Sequence, residues 1–395
     1  GKNIVVADLT SIHDTICKYF VICQGNSPSQ VSSIVDEVWN YVREHEGSKP
    51  TAIDGQANAQ WVAMDYSDVI VHVFLPEVRE FYNLENLFDT IHDAGKNDYE
   101  YLPEGKNKWN SMKYRSKQHN MAKVISGLST DMLPMGPAII GVSEIENRRV
   151  LEDLVKQPEL VDRGYEIIHV EGPDRRGVDC AFLYNPKLFK LETTKLAPYY
   201  TVDNDTTYRT RGFLIAGGTL HGERIHFIVN HWPSRGAASP ARERAGELVR
   251  VIKDSLLMAY PGSPIVIMGD LNDDATDDSV VETLGGKGNI KKLAPGDMYN
   301  PFYDMLRAGH GTLAYRDSWN LFDNIVVSEN LATGSTGSLK IQKKEGAKFY
   351  GNIFTRPYMI QQEGQYKNYP LRSFVGSNFQ NGYSDHFPVY IYISK

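Results

Sequence analysis

Three short stretches of this chain carry residue types suited to hydrolysis: Glu144, Gly-Asp-Leu-Asn at 269–272, and Ser-Asp-His at 384–386. Glu144 follows the apolar run Ala138–Val142, which reads as a buried strand, where a carboxylate is costly unless it meets a cation. It is a candidate metal ligand; the alternative is a salt-bridged surface residue beside Glu146. Asp270 and Asn272, two apart on an extended chain, face the same side. One can align a water or leaving group while the amide donates to an anion, although alone the tetrapeptide also suits an Asx-capped turn. His386 is the candidate general base, since imidazole titrates near neutrality and a carboxylate partner fixes its tautomer. An isolated Asp-His pair is commonly structural; this one gains weight from Asn230-His231 and Asp323 upstream. A divalent ion, a base for water and donors for developing charge are what phosphoester hydrolysis requires. Magnesium suits such a site, because it takes oxygen ligands and keeps several waters.

Apolar strand-like runs deliver these groups in a consistent order. Ala138–Val142, Ile225–Val229 and Ile265–Met268 run into polar clusters, whereas Asp323-Asn324 and Ser384-Asp385-His386 precede the runs 325–327 and 389–393. Antiparallel neighbours place the end of one strand beside the start of the next. All five clusters can therefore meet along one sheet edge. Helices are expected over Met112–Ser126, Arg148–Lys156 and Ala241–Met258. The first 75 residues read as a compact α/β unit. Strands are expected at Asn3–Val6, Tyr19–Cys23, Trp61–Met64 and Val69–Leu75, with a turn at Tyr66-Ser67-Asp68. Ser27-Pro28 opens a helix in which Val31, Ile34, Val35, Val38, Trp39 and Val42 recur at helical spacing, and Gly47 ends it.

Length and composition bound the rest. A chain of 395 residues with 41% hydrophobic and 23% charged content is a globular protein of about two domains. No apolar run is long enough for a transmembrane helix, and the opening GKNIVVADLT lacks the pattern of a secretory leader. Cys17, Cys23 and Cys180 lack metal-ligand spacing and read as buried thiols. Residues 1–80 hold 5 Lys and Arg against 11 Asp and Glu, while residues 81–395 hold 37 against 38. The acidity thus sits in the first fifth of the chain, which disfavours nucleic acid there and suits a basic protein partner. Arg115, Lys117 and Lys123 near Trp109 and Tyr114 could track a nucleic-acid backbone, or form a solvated helix face. The Arg175-Arg176-Gly177-Val178-Asp179 stretch could bring an arginine to a phosphate, or be a plain surface loop.

Taken in order, Tyr-Asn-Leu-Glu-Asn-Leu-Phe-Asp (82–89), Gly-Val-Ser-Glu (141–144), Asn-His (230–231), Gly-Asp-Leu-Asn (269–272), Phe-Asp-Asn-Ile (322–325) and Ser-Asp-His (384–386) resemble the endonuclease/exonuclease/phosphatase superfamily. The resemblance covers residues 80–395. It implies a four-layer α/β/β/α sandwich of the deoxyribonuclease I type and in-line attack by water at phosphorus. It further implies that Asn83 orients the phosphate, and that Glu144, Asp385 and Glu85 are metal ligands for Mg2+, with Mn2+ as an alternate. Asp270 and Asn272 match the pair handling nucleophile and phosphate. His231 matches the histidine that stabilises the phosphate or protonates the leaving group, and Asp323 the carboxylate that orients His386. Nucleic acid, phosphorylated small molecules and lipid headgroups all remain as substrates.

Residues 1–86 resemble a second family, the Iojap-related ribosomal silencing factors. The matching stretches are Tyr-Phe-Val-Ile-Cys-Gln-Gly-Asn-Ser (19–27), Trp-Val-Ala-Met-Asp-Tyr-Ser-Asp-Val-Ile-Val-His-Val-Phe (61–74) and Glu-Phe-Tyr-Asn-Leu-Glu (80–85). This resemblance implies binding to a protein of the large ribosomal subunit, which blocks subunit joining, and hence a cytoplasmic location. Hydrolases of the first kind, by contrast, are often exported. Lys18 departs from the family's usual acidic residue. The expected division is a silencing-factor-like α/β domain at 1–79 and a hydrolase domain at 80–395. The two resemblances conflict over 80–87: one implies a helix, the other a strand delivering Asn83, and a strand is expected because it buries more surface. Two functions follow. The chain is a divalent-metal-dependent phosphate-ester hydrolase, or a ribosome-binding translational regulator whose larger part is a silent scaffold.

Overall fold

The computed structural model describes residues 2–8, 10, 17–24, 28–54, 56, 61–74, 77–130, 133–201, 210–344 and 346–395. Ser27 and Leu75, an expected helix cap and strand end, lie outside the described residues.

The first part of the chain forms a five-stranded sheet in the order Lys2–Asp8, Tyr19–Gln24, Val69–Phe74, Trp61–Asp65, Ala52–Asp54. Its 19-residue helix, Pro28–Glu46, buries Val31 and Val35 against Cys23, Val62, Met64 and Val71, and stops before Gly47 at φ 63°. The 52–54 strand was not legible in advance, since three residues at the sheet edge carry too little pattern. The expected turn at 66–68 is closed by the Ser67 N–H donating to Asp65 Oδ1 at 2.7 Å, with Ser67 at φ 69°.

From Glu77 onward the chain builds two sheets packed face to face. One runs Lys340–Gln342, Val389–Ser394, Glu77–Leu87, Ile139–Ile145, Asp179–Tyr184, Glu166–His169, with Asn352–Ile353 also paired to 389–394. The other runs Phe189–Ala197, Phe213–Leu220, Glu223–His231, Ile265–Asp270, Asp323–Ser328, Met298–Tyr299, Gly286–Lys287. Alternation of side chains assigns each residue to a layer. Phe81, Ile139, Phe182, Phe227, Val229, Met268, Ile325 and Val389 fill the space between the sheets. Tyr82, Leu84, Ile140 and Val142 face outward under the helices Ser111–Gly127 and Arg148–Val155. Ile228, Ile265 and Ile267 face outward under Ser239–Ala259. The result is the expected α/β/β/α sandwich preceded by a small α/β unit. Side-chain caps start two of the helices: Asn110 accepts from the N–H groups of Met112 and Lys113, and Asn147 from that of Val150.

The contested segment is a strand. Residues 77–87 lie in the middle of the first sheet, antiparallel to 389–394 and parallel to 139–145. Phe81, Tyr82, Asn83 and Leu84 are buried on both faces, more apolar burial than a terminal helix provides. No helix among the described residues is long and apolar enough to cross a membrane. None of the three cysteines forms a disulfide, and all three are buried.

Candidate active site

Strand direction gathers the polar clusters. The 77–87 and 139–145 strands end where 389–394 begins, and 223–231 and 265–270 end where 323–328 begins. The cluster residues therefore come together at one end of the sandwich, around a cavity of about 580 Å³. Asn83, Glu144, His231, Asp270, Asn272, Asp385 and His386 line it, together with Asp174, Arg175, Arg176, Thr210 and Arg211.

The backbone bends to aim these groups. Pairing of 77–87 with 139–145 shifts register between Asn83 and Leu87, and pairing of 139–145 with 179–184 shifts between Ser143 and Ile145. Glu85, Asn86, Glu144 and Asn272 all have left-handed φ values, 50°, 54°, 60° and 51°. Such conformations are costly for non-glycine residues and concentrate at functional sites, as bulges do. Gly269 is required by contact as well as by its φ of 155°, because a Cβ there would lie 2.1 Å from the Asn230 carbonyl oxygen.

Asn83, near the end of its strand, donates from Nδ2 to Asp270 Oδ2 at 3.0 Å, linking the two sheets. Asp270 Oδ1 accepts the Asn272 N–H at 2.9 Å, and Asn272 Nδ2 donates to the Trp232 carbonyl at 2.9 Å. Burial pushes the Asp270 carboxyl upward against the pull of His386. His386 Nδ1 lies 2.7 Å from Asp323 Oδ2, and Asp323 is fully buried. A carboxylate can only accept, so Nδ1 carries the proton and Nε2 faces Asp385 Oδ1 at 4.0 Å. Burial alone would lower the His386 imidazole, but Asp323, Asp270 and Asp385 outweigh it and hold it well above its ordinary value. His231 behaves oppositely: burial, with Arg211, Arg176 and His386 adding to it, keeps that imidazole neutral. Its Nε2 is 3.7 Å from Glu144 Oε1 and 3.9 Å from Asp270 Oδ2.

Glu144 and Asp385 are the cavity carboxylates whose chemistry suits a cation. Both line the cavity, and the Asn86 N–H holds Glu144 Oε2 at 2.9 Å. Burial raises the Glu144 carboxyl and Asp385 raises it further, while Arg176 and Arg211 pull it down. Two carboxylates that repel one another in a buried cleft, with amide and carboxylate oxygens beside them, fit a hard divalent ion.

Glu85, expected as a metal ligand, is engaged beside the main cavity rather than in it. Its Oε2 accepts from the Ser373 N–H at 2.7 Å and meets Lys117 Nζ at 3.4 Å, and it lines a separate hollow with Tyr101, Trp109 and Ser373. The basic stripe considered for nucleic acid is mostly engaged within the fold, although Arg115 is exposed. Lys117 and Trp109 are each 1% exposed, Tyr114 donates its hydroxyl to Asp153, and Lys123 lies over the Tyr358 ring. Helical spacing of basic residues did not distinguish a buried lysine from a solvated one. Of the arginine stretch, both Arg175 and Arg176 line the cavity.

Several supporting residues escaped the sequence reading. Asp174 Oδ2 faces Arg211 Nη1 at 3.6 Å, and Arg211 donates to Thr210 Oγ1 and to the Trp232 carbonyl. Arg235 donates from Nε to the Asn272 carbonyl at 3.2 Å. Ser384 donates to the Asn83 carbonyl at 2.8 Å, tying the 384–386 turn to the strand bearing Asn83. Trp-Pro-Ser-Arg directly after Asn230-His231 was the available signal for the Arg235 brace; nothing local marked Arg211.

A sandwich with this cleft defines a phosphoesterase-type hydrolase. Comparison with known proteins agrees: residues 79–395 match the Endonuclease/Exonuclease/phosphatase family, and residues 1–124 match the ribosomal silencing factors active during starvation. The silencing factor RsfS of Bacillus subtilis is 38% identical over 88 residues, 22% of this chain and 73% of that protein. RsfS of Halalkalibacterium halodurans is 41% identical over 88 residues, 22% of this chain and 74% of its own. Among solved structures, a mannosyl-6-phosphatase of Bacteroides thetaiotaomicron aligns at a TM-score of 0.49 and 15% identity, covering 81% of this chain and 100% of that one. D. rerio TDP2 in complex with a single strand DNA product aligns at 0.47 and 15%, covering 81% and 99%. The chain belongs to the Endonuclease/Exonuclease/phosphatase family and, through its N-terminal part, to the ribosomal silencing factor family. It is a phosphoric ester hydrolase of a family generally dependent on divalent metals, which disfavours the silent-scaffold reading. The two family matches overlap over residues 79–124, where the chain forms a strand and a helix of the sandwich.

Proposed function

We propose that the cavity hydrolyses phosphate esters by in-line attack of water, with Mg2+ as the physiological ion and Mn2+ able to replace it. The observation that carries this reading is the convergence of Asn83, Asp270, His231 and His386 on one cavity beside Glu144 and Asp385. Glu144 and Asp385 would hold the divalent ion, which when bound would supply a Lewis acid for a phosphoryl oxygen.

The protein's own groups do the rest. Asp323 holds His386 by Nδ1, leaving Nε2 as the base toward the cavity. Asp270, fixed by Asn83 and the Asn272 N–H, aligns the water or leaving group. Asn272 and Asn83 offer amide donors to phosphate oxygens. His231, neutral, stabilises the phosphate by a hydrogen bond and is a poor acid at neutral pH. Arg176 and Arg211 add positive charge for an anionic substrate. The test is release of nitrophenol from p-nitrophenyl phosphate and bis-p-nitrophenyl phosphate with and without Mg2+. Activity that needs Mg2+ and disappears in Glu144→Gln supports the reading; equal rates in both proteins would refute it.

For the N-terminal part, we propose a unit dividing from the hydrolase near residue 79 that binds a basic protein of the large ribosomal subunit and places the chain in the cytoplasm. The family membership and the local excess of Asp and Glu support this. Co-sedimentation of the full chain with large subunits tests it, and its absence at low salt would end that proposal.

A further inference from the structure

None of these roles uses the buried ammonium behind Asp385. Lys117 projects from the Ser111–Gly127 helix and is 1% exposed. Its Nζ donates to Ser373 Oγ at 2.5 Å, to the Tyr383 carbonyl at 2.8 Å and to Glu85 Oε2 at 3.4 Å. An ammonium has three protons, and three acceptors meet it here. Glu85 Oε2 is also claimed by the Ser373 N–H at 2.7 Å, and Glu85 and Lys117 line their own hollow of about 180 Å³ rather than the main cavity.

We propose that Lys117 is a fixed internal cation that keeps Glu85 out of the metal's coordination sphere, so that the site holds a single divalent ion on Glu144 and Asp385. Lys117 then acts as a positioning residue for that ion. The inference rests on the metal-site reading above. Charge supports it: Lys117 is the buried cation that meets Glu85, whereas Glu144 and Asp385 line the main cavity, where no lysine among the described residues reaches them. A second dication on Glu85 would lie against Lys117, which already meets this carboxylate, in a medium that screens poorly.

Geometry supports it independently. Tyr383, whose carbonyl Lys117 holds, stands two residues before Asp385. Asn120, one turn along the same helix, donates to the carbonyls of Asn381 at 3.0 Å and Gly382 at 3.0 Å. The helix therefore fastens residues 381–383, and Ser384 is fastened to the Asn83 carbonyl. Asp385 emerges from a turn pinned on both sides, and Lys117 is the charged pin.

Mn2+ titration of the full chain, followed by electron paramagnetic resonance and calorimetry, decides the matter without any activity assay. The expected result is one tight Mn2+ per wild-type chain. Glu85→Gln, which leaves the bonds of Lys117 to Ser373 and Tyr383 intact, should change affinity by less than about threefold, well short of the tenfold or more typical when groups that hold a ligand are lost. Glu144→Gln should weaken binding by about tenfold or more. The charge-neutral double variant Glu85→Gln/Lys117→Met should still bind a single ion, weakened by about tenfold as the Asp385 turn loosens. Two tight ions in wild type, or a loss in Glu85→Gln equal to that in Glu144→Gln, would overturn the proposal. So would wild-type affinity in the folded double variant. If that variant does not fold, stoichiometry and Glu85→Gln still decide. No Mn2+ binding by wild type would instead defeat the metal-site reading itself.

Discussion

The two parts of this chain treat charge in opposite ways. In the sandwich, Asn83, Asp270, Asp323, Lys117 and His386 are buried, and left-handed backbone at Glu85, Asn86, Glu144 and Asn272 aims side chains at the cleft. Among the described residues of the N-terminal unit the buried groups are apolar, and the ion pair of Lys18 with Asp68 is open to solvent. Buried polar groups cost stability unless they are paired or bind something. The sandwich thus spends stability on a polar cleft, whereas the described core of the N-terminal unit is an apolar one that leaves its charges at the surface.

The largest expected effect that sharpens this contrast is in the sandwich. His386→Ala should lower Mg2+-dependent turnover by about 10³-fold, the middle of the range for a general base, without unfolding the chain. A residual rate within about tenfold of wild type would break the assignment. In the N-terminal unit the sensitive feature is packing. Met64 is fully buried in a small core, and Met64→Ala should cost about 2–5 kcal/mol there, read as a separate early transition in urea. Turnover by the same protein should be unchanged; a parallel loss of activity would show that the two parts are not separate.

Asp323→Asn keeps the shape beside His386 but removes the charge that orients it. Turnover should fall by about 10²-fold, with KM little changed. A smaller effect comes from His226, buried in the second sheet with Nδ1 3.0 Å from Ser263 Oγ. Burial lowers that imidazole to about 4, from an ordinary 6.5. Below the unfolded value the unfolded chain takes up a proton that the folded chain refuses, so stability falls as the pH drops from neutrality toward the folded value. Between pH 7 and 5 the loss should be about 2 kcal/mol, and His226→Gln should flatten that slope in urea titrations. Smallest of all, Lys18→Ala should leave both melting and turnover unchanged, because its partner Asp68 is equally exposed.

Much of this was legible beforehand because long-range order was written in local pattern. Apolar runs that lead into, or out of, a polar cluster reveal strand direction, and direction alone brings Glu144, Asp270, Asp323 and His386 to one end. The segment at 80–87 was ambiguous locally, and its position between two partner strands decided it. What the sequence hid was the occupancy of side chains. Glu85 stands at the position of a metal ligand, yet Lys117, thirty-two residues away, engages it. Arg211 likewise becomes part of the cleft only through Asp174 and Trp232, from other elements. Pairing across elements leaves no mark in a single sequence.

The proposed mechanism requires a divalent ion between Glu144 and Asp385, facing His386. Anomalous diffraction from Mn2+-soaked crystals tests it most directly. One strong peak is expected about 2.2 Å from an oxygen of each of those carboxylates, with Glu85 outside bonding distance. A peak instead on the Asp270–Asp323–His386 group, or on the His169–Glu171–Asp179 group, would contradict it.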